Sequence, residues 1–299
     1  MDNAATNYNS IFKQDLFKGQ TIIVTGGGSG IGRCIASELA SLGAHTVLIG
    51  RSLEKLETTS AEIVEDGGSV SFHRLDIRDE EAVRETVAVI VKEQGQIHGL
   101  VNNAGGQYPS PASMIKKRGF NAVVETNVTG GFLMSREVFL QSMSKKKQGA
   151  IVNIVADMWR GMPGMAHSGV ARAGMQNLTK SLAVEWASAG VRVNAVAPGW
   201  IASSGFDAYD SSFISSMFSL MTQNNLARRL GTEAEVSAQV TFLLSPAAAF
   251  TTGQCIGVDG GAPLYTQLLP VPDHRNMKEF QGFHRYQKPK SLRTWEESQ

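Results

Sequence analysis

A glycine-rich stretch near the beginning of the chain has the composition of a phosphate-binding loop. Residues 25–32 read TGGGSGIG; they follow a short β-branched run and precede an amphipathic pattern. Glycines here let the backbone turn tightly and approach a diphosphate, whose charge the free N–H groups of the following helix stabilise. A glycine-rich turn without a ligand is the alternative. We assign a dinucleotide site to Thr25, Gly26, Ser29, Gly30, Ile31 and Gly32.

The end of the second predicted strand indicates which nicotinamide cofactor would bind. An acidic residue there would hydrogen-bond a ribose 2′-OH, but the strand ends in Gly50 and Arg51. A guanidinium can bind a 2′-phosphate through two hydrogen bonds, so Arg51 favours NADP(H) over NAD(H), with Arg33 as a candidate second contact. The alternative for both arginines is a helix end or a solvent-facing position.

Two residues after the third predicted strand are candidates for the adenine. Asp76 is placed to accept a hydrogen bond from the adenine amino group, and Ile77 is placed as an apolar wall. The alternative for Asp76 is the N-cap of the helix that begins near Glu80. Asp79 is better placed for that cap, so the adenine assignment is preferred.

These candidates lie on a repeating pattern of strands and helices. Apolar runs occur at residues 21–26, 45–50, 69–77, 99–105, 150–156, 191–199 and 254–261. Runs that are apolar throughout are typical of parallel strands covered on both faces. Helical periodicity at 34–43, 80–95 and 175–190 ends in glycine each time. The pattern predicts a three-layer, Rossmann-like, doubly wound α/β domain at 18–265, with an extension at 1–17 and a tail at 266–299.

Composition excludes several classes of protein. Of 299 residues, 42% are hydrophobic and 18% are charged, which suffices for a sizeable core. The formal net charge of +1, without a basic stripe, argues against nucleic acid as a partner. Cys34 and Cys255 form no CxxC pair, so neither a metal site nor a disulfide framework is expected. The sequence has no secretory pattern and no apolar run of about 18 residues, so we expect a cytoplasmic protein that does not span a membrane.

Four ordered motifs resemble the short-chain dehydrogenase/reductase family. They are TGGGSGIG, NNAG at 102–105, Asn127 within ETNVTGGF, and VAPGWI at 196–201. VNNAGGQYPSP and HSGVARAG are similar to the peroxisomal trans-2-enoyl-CoA reductase branch, whereas ADMWRGMPG and GFHRY are similar to bacterial citronellol and citronellal dehydrogenase-like members. The resemblance implies about seven parallel strands, a cofactor at their carboxyl ends, and a homotetramer or homodimer.

The resemblance also implies further cofactor contacts. In the NNAG segment, Asn103, Ala104 and Gly105 would back the adenosine ribose. Pro198, Gly199 and Ile201 would flank the nicotinamide. Ser203 stands where threonine is commoner, and its hydroxyl can still bond the diphosphate or the carboxamide.

This chain has different residues at the positions of the family's catalytic tyrosine, lysine and serine. The family pair Tyr-x-x-x-Lys falls on Ser168 and Arg172, and the family serine falls near Val155 or Ala156. A serine hydroxyl is a much weaker acid than a phenol, and a guanidinium does not readily give up its proton. Ordinary carbonyl reduction is therefore disfavoured. Arg172 can still hold the nicotinamide ribose, and a structural ion pair is the alternative.

Five side chains remain candidates for catalysis. His167 adjoins the family's tyrosine position, and histidine commonly exchanges protons near neutral pH, so it is the candidate proton donor. A pocket-lining or backbone-bonded histidine is the alternative, and Asp157 can likewise be a loop or cap residue. The candidates are Asn127, Asp157, His167, Ser168 and Arg172.

Apolar residues recur at helical spacing between 203 and 230 and predict a substrate lid. Ordinary core packing of two short helices is the alternative. The candidate substrate contacts are Tyr108, Trp159, Phe206 and Met217, although Tyr108 can equally be a pocket wall. The aromatic residues of the tail are too many for a free segment, so we expect it to pack on its own domain or on a neighbouring subunit.

Reduction of a C=C bond requires a weaker acid at the site than reduction of a carbonyl group does. Hydride lands on carbon, and the negative charge forms on a thioester enolate that hydrogen-bond donors can stabilise. We therefore expect an NADP(H)-dependent oxidoreductase that reduces an α,β-unsaturated acyl-CoA. Two alternatives stay open. One is a dehydrogenase or reductase of a terpenoid alcohol or aldehyde such as citronellol or citronellal, and the other is an inactive NADP(H)-binding sensor or scaffold.

Overall fold

A computed structural model describes residues 7–208, 211–266 and 268–297. Parts of the predicted extension (1–6), lid (209–210) and tail (267 and 298–299) therefore lie outside the described residues. Seven strands form one parallel sheet in the order β3-β2-β1-β4-β5-β6-β7, which confirms the predicted doubly wound fold. The strands are Thr21–Thr25 (β1), His45–Gly50 (β2), Ser69–Arg74 (β3), Gly99–Asn102 (β4), Gly149–Ile154 (β5), Val191–Pro198 (β6) and Cys255–Val258 (β7).

Helices pack on both faces of this sheet. Neighbouring residues of a strand point to opposite faces, so Ile22 and Val24 of β1 pack in one core cluster, and Ile23 packs in the other. The helices are Gly30–Ser41 (α1), Leu53–Glu65 (α2), Glu80–Gln94 (α3), Lys117–Val124 (α4), Gly130–Val138 (α5), Ser144–Lys146 (α6), Ala166–Trp186 (α7), Ser211–Gln223 (α8), Glu233–Leu244 (α9) and Lys290–Glu297 (α10). The first cluster joins α1, α2 and α9, and the second joins α3, α5 and α7.

The order of the strands creates a cleft between β1 and β4. After β1 the chain adds β2 and β3 on one side, and then it crosses to add β4 and the later strands on the other. The loops that leave β1 and β4 therefore diverge at their carboxyl ends. Ligands of open α/β sheets bind at such a reversal.

The helical path from residue 117 to residue 146 contains two π-helical segments, Glu125–Thr129 and Phe139–Met143. Each segment adds one residue to the turn and changes the direction of the side chains that follow. Such segments are frequent at functional sites. The first one carries Asn127, which the sequence had singled out.

Several helix limits differ from those expected. Helix α1 begins at Gly30 and α7 at Ala166, whereas periodicity indicated 34 and 175. Glycine and serine weaken the apolar pattern at both beginnings, and yet these residues are helical because tertiary contacts hold them. Helices α2 and α9 were not predicted, although each has a side-chain cap, formed by Ser52 and Thr232 respectively.

The C-terminal segment packs on the domain of its own chain. Phe283 is buried, its ring stacks on Tyr8 at 5.8 Å, and the guanidinium of Arg33 lies 5.1 Å above its centre. Arg285 pairs with Asp66 at 2.6 Å, next to the end of α2. These contacts add the segment to the surface formed by α1 and α2.

We expect Phe283→Ala to lower the free energy of unfolding by about 3–5 kcal/mol, because it leaves a cavity beneath Arg33 and Tyr8. Phe250→Ala is the matched control, since that ring is fully exposed, and it should change the value by less than about 0.5 kcal/mol. Urea titration followed by tryptophan fluorescence measures both. Equal effects of the two variants would show that the C-terminal segment adds no stability.

Candidate active site

The glycine-rich turn is fixed by contacts to the end of β4. The hydroxyl of Thr25 accepts hydrogen bonds from the backbone N–H groups of Asn103 and Ala104, each at 3.0 Å, and donates one to the carbonyl of Val101 at 3.2 Å. The Asn103 amide donates to the Thr25 carbonyl at 3.0 Å. The Thr25 side chain is fully buried and holds the turn in place, and contact of Thr25 with a cofactor stays a prediction.

Three positions in this turn favour glycine, two because of a positive φ angle and one because another segment of backbone lies very close. Gly26 and Gly30 have φ angles of +67° and +56°, which side chains disfavour. A Cβ at Gly32 would collide with the carbonyl oxygen of Gly26, where the turn and α1 approach each other. The turn therefore presents bare backbone at the positive end of α1, which is the arrangement that binds a diphosphate.

A cavity of about 310 Å³ lies beside the turn. Its walls come from the carboxyl ends of β1 to β4, and they combine apolar side chains with charged ones. Among the lining residues are Gly26, Ser29, Arg51, Lys55, Asp76, Ile77, Asn103, Ala104, Gly105 and Thr126. These residues fit the adenosine half of a nicotinamide dinucleotide, because apolar walls suit the ring and the two cations suit a phosphate.

The two arginines considered for the 2′-phosphate have different surroundings. Arg51 is exposed at the cavity edge, and Lys55, in the first turn of α2, lies on the same wall. Arg33 instead forms a bidentate pair with Glu62, both contacts at 2.7 Å, and lies over Phe283. Its expected phosphate contact is therefore wrong. Lys55 was not singled out from the sequence, although its place four residues after Arg51 was a usable signal.

Asp76 lines the cavity as an anion. Its carboxylate accepts a hydrogen bond from Nε of Arg78 at 2.9 Å, and this partner lowers the pKa of Asp76 to about 2. The N-cap of α3 is Asp79, whose side chain accepts from the Ala82 N–H, so the cap alternative for Asp76 is wrong. Both oxygens of Asp76 accept hydrogen bonds from Arg78, so a contact to the adenine amino group stays a prediction.

Asn127 holds the loop that follows β4. Both hydrogens of its amide are used, in bonds of 2.8 Å to the carbonyls of Gly106 and Val123. The Gly106 N–H donates back to Oδ1 at 3.3 Å. Both amide hydrogens of Asn127 are therefore engaged in positioning this loop, and a catalytic role for Asn127 stays a prediction.

Arg172 lies against the same loop. A Cβ at Gly105 would be 3.0 Å from its Nη2, so only glycine allows the guanidinium this place. Nη1 donates to the Ile154 carbonyl at 2.8 Å. Burial lowers the pKa of Arg172 to about 10, and no carboxylate in the described part of the chain pairs with it. The alternative of a structural ion pair is therefore not realised among those residues.

His167 and Ser168 begin α7 and are fully buried. The Ser168 hydroxyl donates to the Gln107 side chain at 2.7 Å, so its hydrogen is engaged. Tyr108 meets the His167 ring edge-on, with centroids 4.5 Å apart. Within residues 7–208, 211–266 and 268–297, neither ring nitrogen of His167 has a hydrogen-bond partner. A buried histidine in this state is poised for a ligand or a water molecule.

The Tyr108 hydroxyl occupies the space where a Cβ at Gly119 would stand. It thus packs against α4, which favours the pocket-wall interpretation.

Asp157 follows Val155 and Ala156, where the resemblance places the family's serine, just after β5. Its N–H donates to the Pro198 carbonyl at 2.9 Å, and burial together with the charge of Asp259 raises the pKa of its carboxyl. Trp159, two residues on, is exposed over two fifths of its surface and can face a ligand. Asp157 and Trp159 therefore border the site on the side of β6.

The residues after β6 form a close-packed turn. The Gly199 N–H donates to the Val258 carbonyl at 3.0 Å, and a Cβ at Gly199 would press on Asp259. Ile201 forms an isolated bridge with Gly231, and Ser203 comes just before a short 3₁₀ turn. This geometry keeps Pro198, Gly199, Ile201 and Ser203 at the carboxyl end of β6, as the cofactor interpretation requires.

Two of the expected substrate contacts belong to a core cluster. Phe206 is buried and meets Phe218 edge-on at 5.4 Å, and Met217 packs on the same cluster. Trp295 of α10 lies 5.6 Å from Phe218. Core packing, which was the alternative, accounts for Phe206 and Met217.

A polar network beneath the site was missed by the sequence reasoning. The Asn102 amide donates to Asn153 and to Ser135, and Asn153 donates to Thr179, all at 2.8 Å. These bonds join β4 and β5 to α5 and to α7, the helix that carries His167 and Arg172. Asparagine in two adjacent buried strands was the available signal, since a buried amide requires partners.

Known proteins with similar sequences and structures also indicate a nicotinamide-cofactor site. A family model described as "Enoyl-(Acyl carrier protein) reductase" matches residues 26–263. The chain belongs to the short-chain dehydrogenase/reductase family, whose members are oxidoreductases that use a nicotinamide cofactor. Among the described residues, no helix is long and apolar enough to cross a membrane.

The relatives include 2,4-dienoyl-CoA reductases and several dehydrogenases. A probable 2,4-dienoyl-CoA reductase of Bacillus subtilis is 38% identical over 81% of this chain and 96% of its own, and the peroxisomal 2,4-dienoyl-CoA reductase of Mus musculus is 36% identical over 87% and 89%. The solved structure of a citronellol catabolism dehydrogenase of Pseudomonas aeruginosa is 60% identical, with a TM-score of 0.75 and coverage of 85% of this chain and 99% of that one. The chain is thus similar both to 2,4-dienoyl-CoA reductases and to a protein described as a citronellol catabolism dehydrogenase.

We expect Arg172→Met to raise the free energy of unfolding by about 1–2 kcal/mol, because it removes a buried charge that has no ionic partner. Arg192→Met is the matched control. Arg192 donates to three carbonyls at the end of α9, so its loss should cost about 2 kcal/mol or more. Denaturant titration compares the two variants. If both destabilise equally, Arg172 is a structural residue.

Proposed function

We propose that this protein is an NADP(H)-dependent oxidoreductase that reduces the C=C bond of an α,β-unsaturated acyl-CoA. The observation that carries the proposal is the state of the residues at the beginning of α7. Ser168 stands at the family's tyrosine position with its hydroxyl bonded to Gln107, whereas His167 is buried with both ring nitrogens unpartnered in the described structure. The phenol that the family uses as its acid is thus replaced by an engaged hydroxyl, whereas His167 is the candidate hydrogen-bond donor to an enolate.

The cofactor preference rests on the charges at the edge of the cavity. Arg51 and Lys55 can both meet a 2′-phosphate, and no carboxylate at the end of β2 competes with them. Asp76 and Ile77 would hold the adenine. The bare turn from Gly26 to Gly30 would hold the diphosphate.

At the nicotinamide end of the site, the reaction requires a proton for the α-carbon and stabilisation of the negative charge on the thioester oxygen. When bound, the cofactor supplies the hydride, which forms a new bond at the β-carbon, while the π electrons move towards the thioester oxygen. His167 is the candidate to donate a hydrogen bond to that oxygen and to pass a proton to the α-carbon. Arg172 would hold the nicotinamide ribose, and Asn127 would keep the Gly105–Gly106 backbone in place.

The second candidate is oxidation of a terpenoid alcohol or reduction of the aldehyde. It is favoured by the 60% identity to the structure described as a citronellol catabolism dehydrogenase. His167 would then serve as the acid and base of a carbonyl reaction. The third candidate, an inactive NADP(H)-binding sensor or scaffold, follows from the absence of the Tyr-x-x-x-Lys pair. A cytoplasmic location and a homotetramer or homodimer remain predictions.

A substrate panel separates the three candidates. NADPH oxidation should be fastest with 2-enoyl-CoA or 2,4-dienoyl-CoA thioesters, including branched terpenoid ones. It should be at least about tenfold slower with citronellal, because Ser168 stands in place of the family's tyrosine. Absorbance at the reduced nicotinamide band measures the rates. Faster turnover of citronellal would favour the terpenoid candidate, and tight NADPH binding without any turnover would favour the sensor.

We expect His167→Phe to lower kcat by about 10²–10⁴-fold, because the ring keeps its edge-on contact with Tyr108 but loses both nitrogens. NADPH affinity should stay within about twofold. Tyr108→Phe is the matched control and should change kcat by less than about threefold. Full turnover by the folded His167→Phe protein would exclude His167 as the proton donor.

We expect Arg51→Ala to weaken NADPH binding by about ten- to a hundredfold, because a charge-assisted pair to the 2′-phosphate is lost. NADH binding should change by less than about twofold. Calorimetric titration measures both, with Arg84→Ala, on the exposed face of α3, as the control. Equal losses for NADPH and NADH would show that Arg51 does not read the 2′-phosphate.

A further inference from the structure

Glu233 is a buried carboxyl group at the edge of the glycine-rich turn. It is the first residue of α9 and is only 5% exposed. Its Oε1 atom is 3.8 Å from the position that a Cβ of Gly30 would take, and the Ser204 hydroxyl is 3.7 Å from that position. No role in the proposed reaction uses this side chain.

The groups that face Glu233 give it little compensation for burial. From α1 come Arg33, already paired with Glu62, and the neutral thiol of Cys34. From the C-terminal segment comes the phenol of Tyr286, and from the 3₁₀ turn after β6 comes the Ser204 N–H, which donates to the carboxylate. Burial therefore dominates and raises the pKa of Glu233 to about 7.

The position matters because Gly30 begins α1. The positive end of this helix is the place where the turn would receive a diphosphate. A carboxylate and a diphosphate at the same helix end repel each other, because both are anions and the carboxylate has little water to screen it. A neutral carboxylic acid removes that repulsion and gains an O–H that can donate a hydrogen bond.

We propose that Glu233 is a further binding residue of the cofactor site, which takes up a proton from solvent when the diphosphate binds and then acts as a neutral hydrogen-bond donor beside Gly30. The inference rests on the proposed cofactor site. Its consequence is that cofactor affinity falls as the pH rises above 7, because the unliganded protein must then first acquire the proton. The same contact to Ser204 links the turn to the chain that leads from β6 into α8.

The test is calorimetric titration of NADPH at pH 8 in phosphate and in Tris, whose ionisation enthalpies differ. The 2′-phosphate is already ionised at that pH, since such groups have a second pKa of about 6, so it takes up no proton. The wild-type protein should take up about 0.5–1 proton per bound NADPH. Uptake below about 0.2 proton would overturn the proposal without any variant.

The matched variants are Glu233→Gln and Glu185→Gln. Gln keeps the shape of Glu233 and removes the charge, so the uptake should disappear, whereas loss of the exposed Glu185 should leave it unchanged. Between pH 7.5 and 8.5, Kd for NADPH should rise about five- to tenfold in the wild type and less than about twofold in Glu233→Gln. Uptake by Glu233→Gln equal to that of the wild type would overturn the proposal.

Different binding results would contradict the proposed cofactor site and the proposed role of Glu233. If NADPH and NADH do not bind at pH 7, the cofactor site is wrong and the role of Glu233 is overturned with it. If NADPH binds without proton uptake, only the role of Glu233 is overturned. Neither result depends on turnover of any substrate.

Discussion

The close approach of the β1–α1 turn to the end of β4 is the constraint on which the site depends. Gly26 and Gly32 allow the turn to fold onto the first turn of α1, and the Thr25 hydroxyl joins it to Asn103 and Ala104. A side chain at either glycine would separate these segments and close the cavity beside them. The bare backbone that results is both the floor of the cavity and the positive end of a helix.

Three buried polar or charged side chains at the site are incompletely paired. Arg172 is buried without a carboxylate, His167 is buried with unpartnered nitrogens in the described structure, and Glu233 is buried beside an arginine that is paired elsewhere. Each costs stability, because a buried charge or donor loses its water. The two apolar clusters on the faces of the sheet, and the Asn102–Asn153 network, hold these groups in place despite that cost.

The C-terminal segment packs against the elements that surround the site. Phe283 and Arg285 fasten it to α1 and α2, and Trp295 packs on the helix that was predicted to be a substrate lid. That helix therefore has an apolar neighbour, and Phe206 is buried in the same cluster through its contact with Phe218. The segment also brings Tyr286 close to Glu233, so it contributes to the low polarity behind the diphosphate turn.

The sequence by itself determined the strands, their parallel arrangement and the position of the glycine-rich turn, because these depend on local periodicity and on backbone conformations that only glycine adopts. It also located His167, Arg172 and Arg51 near the site. Only the tertiary structure decided what each group can do. Arg33 forms an ion pair with Glu62, and the amide hydrogens of Asn127 bond two carbonyls. Glu233 lies beside Gly30, although about two hundred residues separate them in the sequence. Hydrogen-bond partners and burial arise from segments distant in the chain, and no local pattern records them.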